Sequence, residues 1–185
     1  MIFEDQNELK ARIEQVTPRR AAKTVVVHTD TTAYMGIEGG HVLRLQGNDY
    51  FVLGDAQEGR FGIDDQPKFW VKYAVDLTTA EHKIIKLVFH EQFSTNVGMV
   101  RVRCIRSPQK ESRVLDLVSG HDRFMQGKTV VDPAGNPVRI VDFIRGKSLY
   151  AVLEASDMPH ERYWNEVLPG IMQQLLTCME AMAWL

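Results

Sequence analysis

Short apolar runs separated by polar turns fill most of the chain, a pattern that favours β-strands over helices. β-branched and aromatic residues mark the runs TVVVHT, TAYMGI, HVLRL, YFVLG, FWVKYAVDL and HKIIKLVFH. The turn QGND, starting at Gln46, predicts a hairpin over 41–54. A second polar turn, TTAE, separates the strands predicted at 69–77 and 82–90.

The second half of the chain predicts a helix, another hairpin and terminal helices. Ser107 suits an N-cap, Pro108 a first helical position and Gly120 the end of the helix. The stretch 94–106 alternates like an edge strand, and it could also lead into this helix. The remaining predicted features are an apolar helix face (Val114, Leu115 and Val118), a hairpin over 129–144 that turns at 132–135, a short helix near 148–155 and a longer helix ending at Leu185.

This order of elements predicts an α+β fold, with one helix covering a twisted antiparallel sheet and C-terminal helices following it. Residues 1–46 are expected to form an N-terminal extension, in which a polar helix breaks near Pro18 and short strands follow. One interpretation of the strands at 24–46 is a separate β element that regulates or docks.

Composition narrows the class of protein without identifying it. The chain is 44% hydrophobic and 25% charged with a formal net charge of -2, which is typical of a soluble globular protein. Such a balance lacks the basic surface that nucleic acids or anionic membranes attract, and no apolar run approaches the roughly 20 residues that cross a bilayer. Two distant cysteines and six dispersed histidines predict a reduced, cytoplasmic protein without a metal site.

Lys86 is the most informative residue, because it lies in the centre of an apolar strand. Ile84 and Val88 share its face, while Ile85 and Leu87 share the other. A buried ammonium needs an anion nearby, whereas a lysine near an edge can extend its charged end to water. Periodicity leaves both interpretations open.

The order of these features resembles the small lobe of a protein kinase, over roughly residues 47–185. The segment IIK is similar to the lysine motif of the third strand, which implies that Lys86 contacts the α- and β-phosphates of ATP. Glu111 resembles the helix glutamate that pairs with this lysine, and Glu91 is a second candidate for the pairing. The resemblance implies that Lys86 and Glu111 are the catalytic candidates, with the ammonium on the concave side of the sheet and facing the 107–118 helix.

Two further segments resemble nucleotide contacts. The stretch VDFIRGKSL is similar to a kinase hinge, which implies that Val141 is the gatekeeper and that the Asp142 carbonyl and Ile144 amide contact adenine. The segment VLGDAQEGRFG is similar to the tail of the GxGxFG loop, with Gln57 in place of the first glycine. The residues of this loop that match the motif are Gly59, Phe61 and Gly62.

Neither an HRD-type catalytic loop nor a DFG-type triplet occurs in the sequence. The resemblance therefore divides the chain into a small lobe at 47–141 and a truncated hinge and large lobe at 142–185. We expect such a fragment to bind ATP without transferring phosphate, with magnesium held only by a complete domain. The alternatives are a pseudokinase or scaffold module that engages a protein partner, and the same lobe of a small-molecule phosphotransferase.

The last predicted helix carries an apolar stripe. Ile171, Leu175, Cys178, Met182 and Leu185 recur at alternating steps of four and three, as on one side of a helix. We expect the chain to associate with a second copy through this stripe, unless the helix folds back onto its own sheet.

Overall fold

The computed structural model describes residues 2–56, 69–88, 91–97, 99–106, 108–146, 149–154 and 158–183. The strands are β1 (Val27–His28), β2 (Val42–Leu45), β3 (Asn48–Asp55), β4 (Phe69–Asp76), β5 (His82–Val88), β6 (Glu91–Val97), β7 (Val100–Arg106), β8 (Gly127–Val131) and β9 (Pro137–Asp142). They form an α+β fold with a seven-stranded sheet of order β1-β2-β3-β4-β5-β9-β8 and a two-stranded sheet, β6-β7. The helices are α1 (Gln6–Val16), α2 (Pro108–Leu117), α3 (Leu149–Glu154), α4 (His160–Arg162) and α5 (Leu168–Ala183).

The predicted α+β class and both predicted hairpins are confirmed. β2 and β3 join through Gln46 and Gly47, whose φ angles of 45° and 82° suit the tight turn that matches the twist of a hairpin. β8 and β9 join through a turn in which the Gly135 amide donates to the Asp132 carbonyl at 2.9 Å. The sheet is mixed rather than purely antiparallel, because β1 pairs with β2 in parallel.

Two local predictions change. The ambiguous stretch before α2 is a complete hairpin, in which the polar run EQFSTNV forms β6 opposite β7. Polar strands of this kind give no apolar alternation to detect. The run TAYMGI, predicted as a strand, contains a 3₁₀-helix at Tyr34–Gly36 instead. On the predicted apolar face of α2, Leu115 and Val118 are buried and Val114 is 40% exposed.

Residues 29–41 link the two edges of the seven-stranded sheet, β1 and β8. β1 lies at one edge, yet Thr31, three residues after it, donates through its amide and its hydroxyl to Asp132 Oδ2, both at 2.7 Å. Three residues span at most about 10 Å, whereas six strand spacings in a flat sheet would span about 29 Å. The sheet must therefore curl strongly, bringing β1 close to the turn that joins β8 to β9.

The curled sheet surrounds one core, and Tyr34 and Ile37 of the connecting segment pack into it. Ile85 and Leu87 of β5 point into this core, so Lys86 between them lies on the opposite face. The other buried members are Leu43, Leu45, Tyr50, Val52, Trp70, Ala74, Val130, Val138 and Ile140. The strands in residues 24–46 thus share one sheet and one core with the rest, and a boundary after residue 46 falls in the β2–β3 turn.

Both longer helices that precede β8 cover the outer face of the sheet. Leu9 and Ile13 of α1 pack on Val42, Phe51 and Leu77. α2 lies over the β8 end of the same face, where Thr129 donates to Ser112 Oγ at 2.8 Å. The predicted covering helix is therefore α2. The sequence analysis did not predict that α1 also covers the sheet.

The last helix exposes a continuous apolar stripe, formed by Met172, Leu175, Leu176 and Met179. These positions are spaced by three, one and three residues, so they lie on one side of α5. The predicted stripe shares Leu175 with this side, whereas Ile171 and Cys178 are only partly exposed. Its last member, Leu185, lies outside the described residues. None of the described helices combines the length and the apolar character needed to cross a membrane.

Replacing Asp132 tests the link between residues 29–41 and the β8–β9 turn. Its carboxylate also accepts from the Ala134 and Asn136 amides, at 3.0 and 2.8 Å. Asp132→Ala should lower the free energy of unfolding by about 2–3 kcal/mol in urea titrations, since several buried donors lose their acceptor. Asp122→Ala, at an exposed aspartate, is the control, and equal midpoints for the two variants would contradict the link.

The same carboxylate should make stability depend on pH. Burial alone raises the pKa of Asp132, but the hydrogen bonds from Thr31 and Asn136 outweigh it and hold its pKa below the ordinary value. Its contribution is therefore complete above about pH 4, the unfolded value, and is lost as the pH falls through the folded one. The gap between the parent chain and Asp132→Ala should accordingly narrow in acid.

The stripe on α5 predicts self-association, most simply as a symmetric dimer in which the stripe meets its copy. Leu175→Glu and Met179→Glu should shift micromolar samples toward monomer in sedimentation experiments, because a charge would enter the apolar contact. Gln174→Glu adds the same charge on the far side of the helix and should leave association unchanged. A parent chain that sediments as a monomer would contradict this prediction.

Candidate functional site

β5 places Lys86 in the interior of the sheet, with a strand paired on each side. Its register partners are Val71 on β4 and Arg139 on β9. Directly opposite residues in neighbouring strands project to the same face, so Lys86 and Arg139 are side by side on the outer face. Lys86 keeps 26% of its side chain exposed, and it therefore remains accessible to a ligand.

Helix α2 supplies the anion for this lysine. Glu111, in the first turn of α2, accepts from Lys86 Nζ at 3.1 Å through Oε2 and at 3.4 Å through Oε1. Of the two acidic candidates for the pairing, the structure places Glu111 beside the lysine, while Glu91 is the first residue of β6. The ion pair joins the covering helix to an interior strand.

The ammonium faces α2 as expected, but the expectation of a concave side was wrong. The concave side is filled by the core that Ile37 and Leu87 share, and residues 29–41 close it. Lys86 lies between Ile85 and Leu87 and therefore projects to the outer face. The resemblance correctly implied that the Lys86 ammonium faces α2. It did not imply that residues 29–41 close the concave side of the sheet.

Arg139 is the residue that sequence analysis missed. Its Nη1 donates to Glu111 Oε2, so one carboxylate serves two cations. Only 1% of the Arg139 side chain is exposed, and Nε and Nη2 have no hydrogen-bond acceptor within the described part of the chain. Burial lowers the pKa of Arg139, and the neighbouring charge of Glu111 opposes this effect.

The signal for Arg139 was present in the sequence. It interrupts PVRIVD, a strand whose residues Val138, Ile140 and Val141 are all buried. An arginine with buried neighbours along an interior strand needs an anion on its own face, for the same reason as Lys86. Two cations on neighbouring strands therefore point to a shared acid on the helix above them.

The predicted hinge begins with the last two residues of β9, and its residues 147–148 lie outside the described part of the chain. Val141 is buried and lies opposite Ile84, two residues along the face from the Lys86–Arg139 pair. The Asp142 side chain leaves this face and accepts from Lys83 Nζ at 2.7 Å. Ile144 is 65% exposed, and its amide has no partner among the turn and loop hydrogen bonds of the described residues.

Phe143 holds the start of the predicted hinge against the sheet. Its amide donates to the His82 carbonyl at 3.3 Å, and its ring meets the edge of Tyr73 with centroids 5.5 Å apart. A depression of about 400 Å³ lies between the β4–β5 turn and Arg145, and Lys83 and Asp142 are among the residues that line it. Neither Lys86 nor Glu111 lines it, so it is separate from the Lys86–Glu111 ion pair.

The predicted phosphate loop, with Gly59, Phe61 and Gly62, lies outside the described residues. The strands that flank it are described, and an ion pair joins them where the loop leaves. Lys72 Nζ on β4 donates to Asp55 Oδ1 on β3 at 2.5 Å, and this ammonium also lies 5.2 Å from the Trp70 ring centre.

Comparisons with protein-family models, with curated proteins and with solved structures found no match for this chain. The candidate site therefore rests on its own geometry: Lys86 and Arg139 side by side on interior strands, and Glu111 above them on α2.

Arg139 is more deeply buried than Glu111 and Lys86. Substitutions in this cluster should therefore change the free energy of unfolding by different amounts. Glu111→Gln should lower the free energy of unfolding by about 2–3 kcal/mol, slightly below the cost of breaking a fully buried pair, because Glu111 is partly exposed. Arg139→Met should change it by no more than about 1 kcal/mol, since a flexible apolar side chain can fill the buried position.

The double variant is the decisive comparison. Glu111→Gln should cost less when Arg139 is already Met, because no buried guanidinium is then left without its anion. Urea unfolding of the four proteins measures the coupling. Additive effects would show that Arg139 does not depend on Glu111.

Proposed function

We propose that this chain is the nucleotide-binding lobe of a phosphotransferase of the protein-kinase-like class. Lys86 would contact the phosphates of ATP, and Glu111 would orient its ammonium. The observation that carries the proposal is the ion pair of 3.1 Å between an interior strand and the helix that covers it. A lysine fixed in this way is one of the recurring devices by which kinases hold transferable phosphate groups.

The topology supports the same proposal. In the sheet, β3, β4 and β5 are consecutive antiparallel neighbours, and β9 lies next to β5. Along the chain, α2 comes after β5 and before β8. This order brings the strand that carries Lys86 next to the strand that leads into the hinge. Val141 and Asp142 thus begin the hinge on the strand adjacent to the lysine, where adenine and phosphate contacts would have to be combined.

The proposal covers nucleotide binding and not transfer. Phosphoryl transfer in this class also uses one aspartate to orient the acceptor and another to hold magnesium. The sequence carries neither the HRD-type nor the DFG-type motif that supplies these aspartates. The two rival functions use the same lobe. In a pseudokinase or scaffold module the lobe would bind a protein partner, and in a small-molecule phosphotransferase it would belong to an enzyme with a small-molecule substrate.

Calorimetric titration with ATP and magnesium tests nucleotide binding. The parent chain should bind ATP with a dissociation constant weaker than about 1 μM, since only one lobe contributes contacts. Lys86→Met should weaken ATP binding by roughly tenfold or more, the loss expected for one charge-assisted hydrogen bond. Lys110→Met removes the same charge from an exposed position on α2 and is the matched control.

The outcomes separate the proposal from its rivals. If the parent chain binds no ATP, the nucleotide-binding function is wrong and the scaffold interpretation becomes the better one. If Lys86→Met and Lys110→Met bind ATP equally well, the lobe binds nucleotide without the phosphate contact proposed for Lys86.

A further inference from the structure

Glu111 is held by two cations that differ greatly in burial. Lys86 is partly exposed, and its ammonium can turn toward a ligand. Arg139 is almost completely buried, and Glu111 is its hydrogen-bond partner among the described residues. If the guanidinium left this carboxylate, it would remain a buried charge without an anion, which is strongly unfavourable.

An ion pair of Lys86 with Glu111 alone would be easily displaced. Both side chains are partly exposed, and exposed pairs contribute little and exchange readily with water and ions. An arriving phosphate group would compete with Glu111 for the ammonium. Without another partner, Glu111 would then lose its attachment, and the first turn of α2 with it.

We propose that Arg139 is a positioning residue for the Lys86 ammonium. It holds Glu111 and the start of α2 against the sheet, so that Lys86 is oriented before a phosphate-bearing ligand arrives and Glu111 stays in place afterwards. The inference rests on the proposed nucleotide-binding function for its ligand, the phosphate groups of a nucleotide. It adds a residue that does not touch that ligand.

The position of Arg139 explains why it acts through Glu111 and not directly. Its guanidinium lies beneath the carboxylate and opposite Thr129, the residue that hydrogen-bonds to Ser112 on α2. Two adjacent residues of α2, Glu111 and Ser112, are therefore each bonded to one member of the Arg139–Thr129 pair on the sheet. The helix is attached there whether or not a ligand engages Lys86.

Amide hydrogen exchange without ligand tests the attachment. In Arg139→Met, the amides of residues 112–117 should exchange roughly tenfold faster than in the parent chain, because local opening of α2 becomes easier. Those of β3 should not change. Arg113→Met, at an exposed position on the same helix, is the control for loss of an arginine charge. Unchanged exchange in α2 would overturn the proposal.

Nucleotide titration tests the consequence for Lys86. Arg139→Met should weaken binding of ATP and ADP by about tenfold, within the range of couplings inside one ion-pair network, and leave adenosine unchanged. A merely structural role would weaken all three ligands alike. Arg139→Lys, which keeps a cation beneath Glu111, should restore part of the affinity for ATP. It also provides a second variant if the methionine substitution fails to fold.

Failure of this inference can be told apart from failure of the proposed function. If the parent chain binds neither ATP nor ADP, nucleotide binding is wrong, and hydrogen exchange alone decides whether Arg139 holds α2. If Lys86→Met loses phosphate-dependent affinity and Arg139→Met does not, the positioning role is overturned. If the Lys86→Met/Arg139→Met double variant binds ATP as weakly as Lys86→Met, Arg139 acts through Lys86.

Discussion

The buried guanidinium of Arg139 constrains the rest of this structure. A charged group in the interior of a sheet is tolerated only beside an anion, and the anion must come from an element that lies over the sheet. Glu111 on α2 provides it. The helix is thereby attached at a defined point, and the exposed ammonium of Lys86 is brought to the same carboxylate. The candidate site and the packing of α2 therefore depend on one electrostatic requirement.

The N-terminal residues complete this arrangement from the other side of the sheet. Residues 29–41 fill the concave face, and Thr31 bonds to Asp132 at the far hairpin, so that the sheet curls around its core. Because apolar packing fills the core side of the sheet at Ile85 and Leu87, Lys86 and Arg139 project to the outer face. Residues 29–41, which were predicted to belong to an N-terminal extension, thus help to define the face on which the site lies.

Features that depend on local chemistry could be predicted from the sequence. Contacts between residues far apart in the chain could not. Gly47 and Gly135 indicated their turns, because glycine readily adopts positive φ angles. Lys86 was detectable because a charge interrupts an apolar strand. Arg139 carries the same signal in β9, but its meaning depends on β9 pairing with β5 across more than fifty intervening residues. The link from Thr31 to Asp132, 101 residues apart, has no local signature at all.

Register connects these long-range contacts to the site. Arg139 lies opposite Lys86 in the β5–β9 ladder, and Val141 lies opposite Ile84. A slip of one residue would exchange the faces of β9, placing the guanidinium in the apolar core with Leu87 and removing it from Glu111. Because that arrangement is so unfavourable, the buried charge selects the register, and the register sets where the predicted hinge begins relative to Lys86. Arg139 would not contact a ligand, yet it can therefore determine the geometry in which Lys86 meets one.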